Sequence, residues 1–180
     1  TKNLGCIGDG GALTTESDEI DAHARKLRNY GQSVRYHHPE AGLNSRLDEL
    51  QAAILRARLA LLDGWTARRR EIARTYAGSI RNHLVRVLPL PADPARHVHH
   101  LYVVTTPERN ALQAHLKARG VDSLFHYPVP AHRQPPCEGV RIDPAGLAVA
   151  ERYAAECLSL PIHPTLTEDE VSRVVEATNS

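Results

Sequence analysis

The chain of 180 residues sets 22 Lys and Arg against 21 Asp and Glu, a formal charge of +1, and 42% of it is apolar. Charges of both signs are interspersed, so no basic face marks a nucleic-acid binder, and no apolar run has the length of a bilayer-spanning helix or a signal peptide. Cys6, Cys137 and Cys157 are odd in number and far apart; this suits neither a disulfide framework nor a zinc ribbon, and the expected setting is cytoplasmic with reduced thiols.

The stretch "GDGGALTT" (8–15) predicts a glycine turn running into a short strand. Ser17 or Asp18 then caps a helix carrying Ile20, Ala24 and Leu27, which Gly31 stops. Leu47, Leu50, Ile54, Ala57 and Leu61 recur at steps of three and four and predict a long helix. Asn44 and Ser45 are placed at its N-cap, and Ser45 with Asp48 has capping-box spacing. Asp63-Gly64 interrupts the pattern. A second helix follows through Trp65, Ile72, Tyr76 and Ile80, with Arg68, Arg69 and Arg70 as its outer face.

Proline-rich "PLPADPARHV" (89–98) predicts a linker, dividing the chain into 1–88 and 89–180. Beyond it, "HLYVVTT" (100–106) reads as a strand. Pro107 suits the first turn of a helix carrying Leu112 and Leu116, and Gly120 ends it. The stretch 121–136 holds a short strand and a proline-locked loop, and 145–157 reads as another helix. "SLPIHPTLTEDE" is a loop into a last helix, capped by Thr167 and Glu170 and burying Val171, Val174 and Val175. The alternation describes an α/β layer domain.

Candidate chemistry is sparse. "GCIGDGG" lacks the G-x-G-x-x-G spacing and precedes a strand, so a dinucleotide fingerprint fails on context. His97 and His99 would share one face of a strand, but no Cys or carboxylate stands at a regular offset to complete a metal site, and none is expected. Lysine occurs only as Lys2, Lys26 and Lys117. Lys2, between small and polar residues, could form a Schiff base if burial or a neighbouring cation frees its amine; a plain surface lysine is the alternative. Asn44 and Arg46, at a helix start with unpaired N–H groups, would welcome a phosphate or carboxylate; simple capping is the alternative.

Taken together, "TKNLGCIGDGGALTT", "GLNSRLDELQAAIL", "RRREIARTY", "HLYVV", "HYPVPAHRQPP" and "LSLPIHPTLTEDEV", in this order, resemble the C-terminal half of the DegT/DnrJ/StrS sugar aminotransferases. These are pyridoxal-phosphate (PLP) enzymes of fold type I, the aspartate-aminotransferase fold. The resemblance covers essentially the whole chain. It implies the end of a large PLP-binding domain, long connecting helices, and a small α/β C-terminal domain. It implies that Lys2 is the Schiff-base lysine and that Asn44 reaches the cofactor phosphate of the other subunit in a homodimer. Arg46 then contacts glutamate or the nucleotide sugar, and His126, Tyr127 and His132 lie near the mouth of the site on the substrate side.

The implied reaction is ping-pong transamination from glutamate to a nucleotide-linked keto sugar, with "NSRLDELQAA" closer to the branch that makes 3-amino sugars on dTDP-linked 3-keto-6-deoxyhexoses. The family's N-terminal half has no counterpart here and the chain has no Met; the expectation is a segment of a longer protein, inactive alone. Two other readings stay open. A sugar dehydratase on the same scaffold would carry histidine in place of Lys2, and a non-catalytic regulatory or dimerisation module would keep the fold without the chemistry.

Overall fold

A computed structural model of the chain describes residues 2–180. The described residues gather into two units that meet in sequence at Leu62 and Asp63. Each is described by itself.

The first unit contains helices α1 (Asp18–Leu27) and α2 (Glu49–Leu59). Ser17 caps α1, its hydroxyl accepting from the Ile20 N–H at 3.3 Å. Acidic Asp18, Glu19 and Asp21 crowd the first turn and Arg25 and Lys26 the last, which complements the helix dipole. Residues 8–15 form no strand, contrary to the sequence expectation; a strand needs a ladder partner, and the described residues offer them none. Instead the segment folds on itself and on α2. A Cβ on Gly10 would stand 2.3 Å from the Cys6 sulfur. Gln51 of α2 donates to the Asp9 carbonyl at 3.3 Å, and Arg58 to that of Leu4 at 2.6 Å.

Between the helices the chain makes a loop closed at its neck. Asn29 and Asn44 form an antiparallel bridge. The N–H of Tyr30 donates to Leu43 O (2.9 Å), that of Leu43 to Leu27 O (2.8 Å) and that of Ser45 to Arg28 O (2.9 Å). Two glycines meet there. Gly31 has φ +68°, and a Cβ on it would lie 1.9 Å from the Glu40 carbonyl oxygen; one on Gly42 would lie 2.0 Å from the Gly31 nitrogen. Neither position admits a side chain.

The second unit holds the core. Two residues, Ala60 and Leu61, separate helix α3 (Leu62–Ser79) from the end of α2. The break therefore falls at Ala60-Leu61, and Asp63-Gly64 belongs to the first turn of α3 rather than interrupting the pattern. Ile72, Ala73 and Tyr76 of α3 pack with Ile80 against a three-stranded antiparallel sheet. Its order is β1 (Arg86–Val87), β2 (Tyr102–Thr105), β3 (Cys157–Leu160), and β2 is central. The register pairs Tyr102 with Leu160 and Val104 with Leu158. These four side chains join the core, while Val103, Cys157 and Ser159 alternate onto the other face, as strand geometry requires.

Strand β3 occupies a stretch whose sequence predicts a helix end and a loop. Cys157 instead leaves α5 (Ala148–Glu156) directly into the strand, all four of whose residues are buried. Strand β1, two residues long, lies next to the proline-rich segment, which runs inside this unit. Helix α4 (Arg109–Ala118) begins two residues after Pro107 rather than on it. Its end is a Schellman motif: Gly120 at φ +74° donates to Lys117 O (3.0 Å), and Val121 to Leu116 O (2.9 Å). Helix α6 (Glu168–Asn179) carries the full capping box of Thr167 and Glu170, and buries Val171, Val174 and Ala177. No helix among the described residues is long and apolar enough to cross a membrane.

Arg69 corrects the reading of an outward basic face. It is only 6% exposed, and its guanidinium donates to the carbonyls of Ile162 (2.9 Å), His99 (3.1 Å) and His100 (3.3 Å). Acceptors 30 and 93 residues away turn a surface charge into a clamp between the entry to β2 and the exit from β3. The histidine pair also differs from expectation. His97 and His99 lie ahead of β2, not on a strand; their rings stand 4.2 Å apart, and His97 Nδ1 accepts from the His99 N–H. His99 is buried at φ +43°, and burial pushes its pKa down to about 4.

Candidate functional site

Lys2 is exposed, three residues ahead of Gly5, whose φ is +63°. The neighbouring Leu4 carbonyl is held by Arg58 of α2, so the backbone beside Lys2 is tied to the helix while its side chain is open.

Asn44 is not at a helix N-terminus. Helix α2 begins at Glu49 with Asp48 as its N-cap, and Asp48 makes no side-chain cap bond. Asn44 and Ser45 are instead extended and paired with Asn29 and Arg28 at the loop neck. The long-range pairing consumes the Ser45 N–H that the helix reading left free, and no Ser45–Asp48 capping box forms. The donors available at this position therefore belong to side chains. Arg46 Nε donates to Asn44 Oδ1 at 2.8 Å, and its guanidinium lies 5.6 Å from the centre of the Tyr30 ring. This leaves the Asn44 amide nitrogen with no hydrogen bond among the described residues.

Asn44 and Arg46 line an open cavity of about 800 Å³ together with residues 9–13, Arg25 and Arg28, and its walls also carry the carboxylates Asp9 and Asp21. Lys2 is not part of its wall. Three arginines meet there, each anchored through Nε: Arg46 on Asn44, Arg25 on Asp21 (2.8 Å), and Arg28 on the Ser45 carbonyl (3.1 Å). Anchoring through Nε orients the terminal NH₂ groups, the half of a guanidinium that forks onto a phosphate or carboxylate. Asp21 beside it raises the pKa of Arg25. An unengaged amide donor among cationic side chains fits the phosphate of a cofactor such as PLP. Sequence reasoning found Asn44 and Arg46 but passed over Arg25 and Arg28. Their spacing of three on α1 and the residue after it was the available signal.

The second set lies in the other unit. Residues 124–127 run beside β3. Leu124 and Ser159 form an isolated antiparallel bridge, and the Ser159 hydroxyl meets His126 Nδ1 at 2.9 Å. The Tyr127 ring stands edge-on to His126, with centroids 5.3 Å apart. Both line a cavity of about 350 Å³ whose walls include Val103, Tyr153 and Cys157. His132 and Arg133 both donate to one oxygen of Glu151 on α5, at 3.1 Å and at 3.0 and 2.6 Å. That contact fastens the proline-rich loop to the helix, and both donors hold the Glu151 carboxyl below its ordinary pKa. The structure thus brings His126 and Tyr127 to one cavity and gives His132 a carboxylate partner 19 residues along the chain. Ser159 and Glu151 were missed; their partners are remote in sequence and leave no local pattern. No group of three or more His, Cys, Asp or Glu placed to hold a metal ion occurs among the described residues.

Comparison with known proteins places this geometry. The DegT/DnrJ/EryC1/StrS aminotransferase family matches residues 1–179. The chain is 46% identical to a dTDP-3-amino-3,4,6-trideoxy-alpha-D-glucose transaminase of Streptomyces venezuelae, a match covering 98% of this chain and 46% of that protein. It is 42% identical to a pleiotropic regulatory protein of Geobacillus stearothermophilus, covering 98% of this chain and 48% of the other. The crystal structure of S. venezuelae DesV in complex with a ketimine intermediate superimposes with a TM-score of 0.89 at 45% identity, over 98% of this chain and 48% of that one. The chain therefore spans about half the length of the relatives it matches. Its mixed α/β architecture is that of the corresponding portion of these enzymes. The family is PLP-dependent, and a solved relative from Bacillus subtilis, 25% identical, holds bound PMP. The chain belongs to the DegT/DnrJ/EryC1/StrS aminotransferase family.

Proposed function

We propose that the protein carrying this chain transfers an amino group from glutamate to a nucleotide-linked keto-deoxysugar, with a dTDP-linked 3-keto-6-deoxyhexose as acceptor. The observation that carries the reading is the Asn44–Arg46 pair: an unengaged amide and an anchored guanidinium on a cationic cavity, in a chain matched over almost its whole length by a dTDP-3-amino-sugar transaminase. In this reading residues 1–88 close the large domain, 89–180 form the small one, and the enzyme works as a cytoplasmic homodimer.

Each residue has a stated task. The Lys2 amine would hold the cofactor covalently and, as a free amine, would be the base that moves a proton between carbon centres. PLP, when bound, supplies the electron sink for that proton transfer. Asn44 donates its amide to the cofactor phosphate across the subunit interface, and Arg46 grips a carboxylate or phosphate of the substrates. His126 and Tyr127 contact the sugar nucleotide, and His132, held by Glu151, fixes the loop that carries them. Lys2 itself speaks against the dehydratase alternative, in which histidine stands at that position. The likeness to a regulatory protein sustains the second reading, a non-catalytic module.

Reductive trapping separates the two. The protein is incubated with pyridoxal phosphate, reduced with borohydride, digested and mapped by mass. A single pyridoxyl adduct on Lys2 is the expected result. No adduct, or a scatter over Lys26 and Lys117 as well, would leave the non-catalytic module in the lead.

A further inference from the structure

We infer that Ser159 is the positioning residue for His126: its hydroxyl sets which ring nitrogen of His126 is presented to the sugar nucleotide. The inference rests on the substrate-side reading of His126 made above and deepens it. Ser159 is 5% exposed and lies in the middle of β3, paired with Val103 of the central strand. It faces away from the core, on the same side of the sheet as Cys157, and Cys157 lines the same cavity as His126. Three contacts join it to Leu124 and His126. Its N–H donates to Leu124 O at 2.8 Å, its carbonyl accepts from the Leu124 N–H at 3.3 Å, and its Oγ meets His126 Nδ1 at 2.9 Å. The first two fix where the backbone at Leu124 lies. Only the third touches the ring.

Ser159 Oγ has no other hydrogen-bond partner among the described residues, so the hydrogen of this buried hydroxyl finds an acceptor only at Nδ1. When the Ser159 hydroxyl donates to Nδ1, the neutral ring carries its proton on Nε2 and presents a donor there. Nε2 has no partner among the described residues, and the ring lines the cavity. A donor suits the oxygen-rich sugar and diphosphate of a nucleotide sugar, whereas an Nε2 lone pair would repel them. The edge-on Tyr127 ring limits rotation of the imidazole. Ser159 thus acts through His126 and touches no reacting atom. It tunes binding of the acceptor, not the transfer of nitrogen.

The test uses the protein with its cofactor bound and compares Ser159→Ala with Ser159→Thr, which restores the hydroxyl. Imidazole ¹⁵N resonances, assigned through His126→Gln, report the tautomer directly and need no turnover. The expected result is a defined Nε2–H signature in the parent and in Ser159→Thr, averaged between tautomers in Ser159→Ala. With it, the KM for the nucleotide sugar rises about tenfold in Ser159→Ala, the KM for glutamate stays put, and kcat changes less than twofold. A tautomer signature unchanged in Ser159→Ala overturns the positioning role. So does a fall in kcat with both KM values unmoved, which is the mark of a general structural defect. His126→Gln checks the parent reading separately: an unaltered sugar KM in that variant removes His126 from the substrate side, whatever the resonances show for Ser159.

Discussion

Every buried hydrophobic side chain among the described residues lies in Asp63–Ser180, whereas helices α1 and α2 bury none. The earlier unit leaves Ile7, Leu13, Ile20, Leu43 and Leu50 exposed and is held by backbone hydrogen bonds at the loop neck, a few side-chain ties to carbonyls, and ion pairs such as Lys26–Glu40 at 2.7 Å. The later unit packs α3, α4 and α6 on one face of a sheet around Tyr76, Leu116, Val104 and Leu158, all of them fully buried. Exposed ion pairs and solvated backbone bonds contribute little net stability, while each buried large side chain contributes roughly 1.5–3 kcal/mol. The residues proposed to hold the cofactor therefore sit on the part of this chain with the least cohesion of its own. Those proposed to meet the sugar sit against the part with the most.

The strongest way to break that contrast is to separate the units. Residues 63–180 expressed alone are expected to give a cooperative thermal transition by circular dichroism, and residues 1–62 alone to give none. A sharp transition in the shorter piece would mean that its exposed apolar side chains find one another without help, and the contrast would fail. Next in size is a matched pair of truncations. Tyr76→Ala, which also removes a hydroxyl bonded to the Pro161 carbonyl at 2.8 Å, is expected to cost about 3–5 kcal/mol in denaturant unfolding. Leu50→Ala on α2, 68% exposed, is expected to stay within about 0.5 kcal/mol. Comparable losses at the two positions would erase the distinction.

A smaller effect sharpens the picture of the later unit. His99 has a folded pKa of about 4 against an ordinary 6.5, chiefly from burial, with His97, Arg70 and Arg74 adding to the shift. Between those values the unfolded chain binds more protons than the folded one, so the stability gained by keeping the ring neutral is full above about pH 6.5 and lost as pH falls toward 4. Denaturant midpoints should decline across that window, and His99→Asn, whose side chain tolerates the positive φ, should flatten the decline. A decline that persists unchanged in the variant would assign it to other groups.

The same contrast explains what the sequence disclosed. Signals that act within one helical turn were legible: the Ser17 cap, the Thr167–Glu170 capping box, the Gly120 stop and the stripe of Ile72 and Tyr76. Features decided by a remote partner were not. Asn44 and Ser45 have good capping chemistry, but their backbone is claimed by Asn29 and Arg28, so the helix starts later. Arg69 looks like its neighbours until Ile162 and His99 arrive to bind it. Cys157 reads as the end of a helix and Ser159 as the start of a loop, and the stretch becomes strand where β2 lies alongside. At the candidate sites, Lys2, Asn44 and Arg46 stand out as members of a motif, while Ser159 became visible only when the fold carried it to His126.

The Gly31–Gly42 contact has a consequence for how this segment tolerates change. With a carbonyl and a backbone nitrogen occupying the space of each missing side chain, the two positions cannot drift separately over evolutionary time. The exposed tip they enclose, residues 33–38, is released from that constraint, since Asn44 is held by the neck and by Arg46 rather than by the tip. Variation in length and composition should therefore collect at the tip. An inserted epitope or fluorophore there would give a handle on the assembled protein without moving the asparagine eight residues away from Tyr36.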